Sequence, residues 1–103
     1  MYCNKLFFYL ICLSIFFLRI VIAADGDVIT INTDTTALQT ITDDNVTLIN
    51  NANLSRSGTQ VIQLGGTSGT TITNNAGASI TANKDVIRCT AACTNPTLNN
   101  FGT

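Results

Sequence analysis

Thr47-Leu48-Ile49-Asn50-Asn51-Ala52 returns as Thr71-Ile72-Thr73-Asn74-Asn75-Ala76, and a looser copy, Thr97-Leu98-Asn99-Asn100-Phe101-Gly102, follows about one period later. The Asn-Asn pair begins at 50, 74 and 99, so it steps by 24 and then by 25. A second marker keeps the same steps: Ala37-Leu38-Gln39, Val61-Ile62-Gln63 and Val86-Ile87-Arg88. One extra residue is therefore expected between Asn75 and Val86. A fixed period of about 20–50 residues is the signature of a stacked, quasi-one-dimensional repeat.

Each period resolves into short β-branched runs. Val28-Ile29-Thr30-Ile31, Val46-Thr47-Leu48-Ile49, Gln60-Val61-Ile62-Gln63-Leu64, Thr70-Thr71-Ile72-Thr73, Ser79-Ile80-Thr81 and Asp85-Val86-Ile87-Arg88 read as strands. Between them lie Asp43-Asp44-Asn45, Asn50-Asn51, Ser57-Gly58, Gly65-Gly66, Asn74-Asn75, Gly77 and Asn83, residues that turn the chain. No window carries helical spacing with caps. Short strands with tight corners also suit a sandwich, but identical residue types recur at one phase: Asn50, Asn74 and Asn99, then Asn51, Asn75 and Asn100. Stacked roughly 4.8 Å apart, such side chains form amide ladders. Ala52 and Ala76 suit the crowded corner beside the ladder, where the third copy has Phe101.

The expected fold is thus all-β: a right-handed parallel β-helix (β-solenoid) of about three coils after an N-terminal signal helix. The register of Asn53 to Gly58 against Gly77 to Asn83 stays open, because the extra residue fits at several places.

The first part of the chain belongs to another class. Lys5 precedes the apolar run Leu6 to Leu18, and Arg19 and Ile20-Val21-Ile22 lead into Ala23-Ala24 before the chain turns polar at Asp25. Those are the parts of a secretory signal peptide, with cleavage after Ala23 or Ala24. A retained anchor is the alternative, opposed by Arg19, which interrupts the stretch as it reaches spanning length. The organisation read from this is a signal peptide over residues 1–24 and a β-helical repeat region over 25–103. The positive mean hydropathy owes much to the leader.

The repeat region is mildly acidic: Asp25, Asp27, Asp34, Asp43, Asp44 and Asp85 face Arg56, Lys84 and Arg88. No basic patch offers itself to phosphates, which argues against nucleic acid as a partner.

The leader, the opening Ala24-Asp25-Gly26-Asp27 and corners of the form apolar-Asn-Asn-Ala-Gly resemble the start of an autotransporter (type V secretion) passenger of the β-helix type. The resemblance spans roughly Asp25 to Thr103 and rests on composition, not on catalytic motifs. It implies export to the periplasm, cell surface or extracellular space of a Gram-negative bacterium, with a structural or adhesive role. Host or cell-surface glycans or proteins are the partners implied. The family's C-terminal barrel has no counterpart here, as no aromatic-girdled amphipathic strands are present. On this resemblance the chain is a fragment, a truncated product or a short relative, and meets the membrane only through its leader or a missing barrel.

Sites of chemistry are few. Cys89 and Cys93, the cysteines beyond the leader, form either a small disulfide loop or two free thiols, and export favours the disulfide. Metal binding lacks further ligands, there being no His. Gly65-Gly66-Thr67-Ser68-Gly69 lacks the lysine of a phosphate loop and reads as a corner. Asp43-Asp44 is the one acidic pair, and Thr67 and Ser68 take its phase one period later, so no carboxylate cluster is expected. No catalytic, cofactor or metal residues are assigned. Asn45-Val46-Thr47 and Asn53-Leu54-Ser55 fit the N-glycosylation pattern, which an Asn- and Thr-rich chain produces by accident.

A structural, surface-display role leads. The alternative is a module binding carbohydrate or ice through threonines; Thr71-Ile72-Thr73 and Thr40-Ile41-Thr42 have the local form but not a common phase. A polysaccharide-cleaving enzyme ranks below both. Unpaired strands at the end of the repeat are expected to promote edge-to-edge self-association.

Overall fold

The computed structural model describes residues 23–103; the expected leader, apart from Ala23 and Ala24, lies outside the described residues. Nine strands and no helix are found among the described residues: β1 (Val28–Ile31), β2 (Gln39–Ile41), β3 (Thr47–Asn50), β4 (Asn53–Arg56), β5 (Ile62–Gly65), β6 (Thr71–Asn74), β7 (Ser79–Ala82), β8 (Ile87–Ala91) and β9 (Thr97–Asn100). They form three sheets, ordered β1-β3-β6-β9, β2-β5-β8 and β4-β7, and every pairing is parallel. The fold is all-β. Parallel neighbours cannot be joined by a hairpin, so the chain leaves each sheet, crosses the others and returns one strand further on.

Alternation decides which side chains go in. Leu48 and Ile72 stack on one inward row, flanked by Ile29 and Leu98. Ile41, Leu64 and Cys89 form a second row, and Leu54 with Ile80 a third. Ile41, Val46, Leu48, Leu54, Val61, Ile62, Leu64 and Ile72 are buried and make one cluster, which Ala23 joins from the N-terminal side. The β8–β9 level is the open end: Leu98 is 55% exposed and Phe101 68%.

The period is less even than the sequence markers suggest. Val28 pairs with Thr47, Thr47 with Thr71 and Thr71 with Thr97, so the first step is short and the last long. The single extra residue expected between Asn75 and Val86 is the net of two local changes, two residues gained and one lost, and a third change follows beyond Val86. Asn50 pairs with Asn74, yet Asn53 pairs with Ser79: Ala76 and Gly77 are both additional. Gly77 turns there at φ 84°, a left-handed conformation that side chains resist. Ala78, not Ala76, fills the buried place that Ala52 holds one level below. One residue is dropped between Ala82 and Ile87, and one regained at a bulge where Leu64 pairs with Cys89 but Gly65 with Ala91.

These shifts correct the third copy. Asn100, not Asn99, pairs with Asn74, and Asn99 stands opposite Thr73. Phe101 lies over Asn75, its amide donating to Asn74 O (2.8 Å), and not over the alanine corner. Asn50 and Asn74 are also not corner residues but the last residues of their strands.

A second corner repeats with a left-handed residue at each level: Gly26, Asn45, Gly69 and Asn95 all have positive φ. Their amides bind the next level's carbonyls, Gly26 N to Asp44 O, Asn45 N to Ser68 O and Gly69 N to Thr94 O. Glycine and asparagine are the residues that enter this conformation at least cost.

Candidate functional site

Asn50 and Asn74 are fully buried amides, and burial of an amide demands partners. The two hydrogens of the Asn50 side-chain nitrogen are shared among Asn74 Oδ1 (2.8 Å), Ala52 O (2.8 Å) and Ser79 O (3.1 Å), while its Oδ1 accepts from Ala52 N (3.2 Å). Asn74 repeats the pattern toward Asn100 Oδ1 (2.8 Å) and Thr103 O (3.1 Å). The inner row therefore runs Asn50–Asn74–Asn100, with Ile31 in its place at the first level. An outer, exposed row runs beside it: Asn51 Nδ2 to Asn32 Oδ1 (2.8 Å) and Asn75 Nδ2 to Asn51 Oδ1 (2.6 Å). Asn32 was hidden from the period because the first step is short, although Val28-Ile29-Thr30-Ile31-Asn32 parallels Thr47-Leu48-Ile49-Asn50-Asn51. Asn99 belongs to neither row; its Nδ2 approaches Thr73 Oγ1 at 3.5 Å.

Cys89 and Cys93 are joined as a disulfide, with a Cα separation of 6.1 Å. Cys89 continues the Ile41–Leu64 row and Cys93 packs against the core, so the bridge lies over the open end of the apolar interior.

The acidic residues serve the backbone. Asp25 Oδ1 accepts from Asp44 N (3.0 Å), and Asp44 Oδ1 accepts from Ser68 N (2.7 Å). Ser68 thus stands over Asp44, and Asp25 stands beneath it. Asp43 is not part of this stack. Among the described residues no group of three or more His, Cys, Asp or Glu gathers, and no buried side-chain nitrogen or oxygen lacks a hydrogen bond.

Two outer faces present hydroxyls. On the four-stranded sheet, Thr47, Thr71 and Thr97 line one outward row after Val28, and Thr30, Ile49, Thr73 and Asn99 the next. Thr40 instead pairs with Gln63 on the β2-β5-β8 sheet. The other face is concave. Thr36, Ser55, Arg56, Ser57, Thr81 and Asn83 line an open trough of about 590 Å³ over β4 and β7. It runs on into a smaller hollow bounded by Asp34, Thr35, Thr36, Asn53 and Ser55. In that hollow Asp34 accepts from Asn53 N (2.9 Å) and Asn53 Oδ1 accepts from Ser79 Oγ (2.8 Å), so those groups are satisfied within the protein. Sequence patterning missed this trough because it depends on the Asn53–Ser79 register.

Comparison with protein-family models, with curated proteins and with solved structures gives no match for this chain.

Proposed function

We propose that the chain is an exported, right-handed parallel β-helix of about three coils that serves as a structural, surface-display segment of an autotransporter-like protein. The observation that carries the reading is the in-register stacking of Asn50, Asn74 and Asn100 inside and Asn32, Asn51 and Asn75 outside. Repeated polar groups that serve one another support a spacer role. The amides of these rows hold successive levels together, and the Asp25 and Asp44 carboxylates fix a corner.

The test is secretion and display. The full chain, leader included, is fused to an outer-membrane barrel in a Gram-negative host. Display predicts that externally added protease releases the segment from intact cells. Full protection of the segment, with the leader retained, overturns the reading.

The Thr47–Thr71–Thr97 row favours a second reading, a face that binds ice or neutral carbohydrate. Ice-recrystallisation inhibition lost on Thr71→Asp would put this reading first; its absence in the unaltered chain would remove the ice branch, and a silent glycan array the other.

A further inference from the structure

The trough over β4 and β7 differs from the rest of the surface in what its polar groups are doing. Elsewhere, stacked side chains satisfy one another: Asn32 with Asn51, Asn51 with Asn75, Asp34 with Asn53, and Asn53 with Ser79. Thr36, Ser55 and Thr81 form the next outward row across the same strands, one hydroxyl per level. Among the described residues, no hydrogen bond engages their side chains, nor those of Ser57 and Asn83. Each hydroxyl both donates and accepts, and the Asn83 amide adds two donors and an acceptor.

Arg56 is the one charged residue lining the trough. Its Nε donates to Thr59 Oγ1 (3.0 Å), and no hydrogen bond among the described residues engages its terminal nitrogens. A guanidinium fork suits a planar carboxylate or a sulfate.

From these features we infer that the trough binds an oligosaccharide carrying an anionic substituent, a role that stands apart from the display reading. A row of hydroxyls spaced by the strand separation, roughly 4.8 Å, matches a ligand that itself offers hydroxyls at the pitch of successive sugar rings. The single cation selects an acidic sugar over a neutral one. A polyphosphate is disfavoured by the chain's negative net charge of −1 and the lack of a second cation in the trough. No aromatic platform lines the site, so binding is carried by edge-on hydrogen bonds and is weak, in fast exchange.

The experiment is an amide-resolved NMR titration of the full chain with three probes: a glucuronic acid trisaccharide, a sulfated glucose trisaccharide and maltotriose. The acidic probes should move the Ser55, Arg56, Ser57, Thr81 and Asn83 amides to saturation, and the tighter of the two identifies the anion. Maltotriose should bind several-fold more weakly. Arg56→Gln should reduce affinity for the acidic probe about tenfold, toward the maltotriose level, with Arg56→Lys between. Thr81→Val, which keeps the shape and removes one hydroxyl, should weaken all three probes. Equal affinity for maltotriose, an unchanged Arg56→Gln variant, or shifts centred on Thr47, Thr71 and Thr97 would overturn the assignment. So would no saturation at concentrations on the order of 10 mM.

Discussion

Asn50 and Asn74, one strand apart in the same sheet, share a side-chain hydrogen bond of 2.8 Å, and both side chains are buried. Each also spans its own corner, Asn50 to Ala52 O and Asn74 to Ala78 O. One amide thus ties three things together: the strand end, the corner that follows and the next level.

Asn74→Leu should therefore be costly. It removes one acceptor of Asn50, the donor to Asn100 and Thr103, and the bond to Ala78 O that spans the corner. A loss on the order of 2–3 kcal/mol is expected in denaturant unfolding. Asn75→Leu, in the exposed row where water replaces the amide, should cost well under half as much. Equal effects would contradict the distinction between the two rows.

The sequence markers identified both asparagines of each pair without separating these roles. Strand type, parallel stacking and the Asn50–Asn74 match were legible, because β-branched alternation and a step of 24 leave few other arrangements. The third level was not. Ala76 and Gly77 displace the register, Thr90 displaces it again, and in Asn99-Asn100 either residue suits the pattern. A one-residue slip reverses which side chain faces in, and composition alone does not resolve it. The trough was illegible for the same reason, since Ser55 and Thr81 meet only once that register is set.

Gly69→Ala should destabilise the second corner. Gly69 sits at φ 67°, and a Cβ there would stand 2.5 Å from Asn45 Oδ1. Left-handed strain and the clash together should lower the thermal midpoint, by the equivalent of about 1–2 kcal/mol. Gly26→Ala, at a comparable φ of 78° but with open space around it, should cost less. The two melts, compared side by side, separate crowding from strain.

Intact-mass analysis under non-reducing conditions should find Cys89 and Cys93 linked within one chain. Replacing both by alanine should cost about 2 kcal/mol for so short a loop. Stronger binding of a dye for apolar surface is also expected, because the bridge lies over the core at the level of Leu64. Two freely alkylated thiols in exported material would oppose the linkage.

Export can be read from the N-terminus of secreted material, which should begin at Ala24 or Asp25. Ala23 is 5% exposed and packs against the core, so cleavage removes an interior methyl group. A chain carrying the uncleaved leader should accordingly melt slightly higher than the processed one. Material that retains Met1 after secretion would point to an anchor.

The inner asparagine row is also a one-way arrangement. The amide nitrogens of Asn50 and Asn74 both point toward the following level, an orientation fixed by the carbonyls of Ala52, Ser79, Ala78 and Thr103 around those nitrogens. The first level offers Ile31 in that row and the last described level offers Asn100. The two faces of the stack are therefore chemically unlike, as the poles of a magnet are. Within this inner row, the last described level presents the Asn100 amide and the first presents the Ile31 hydrocarbon branch. Two like faces brought together would set donor against donor or methyl against methyl. The inner amide row thus has a heading, and the outer row, whose nitrogens point toward the preceding level, has the opposite one.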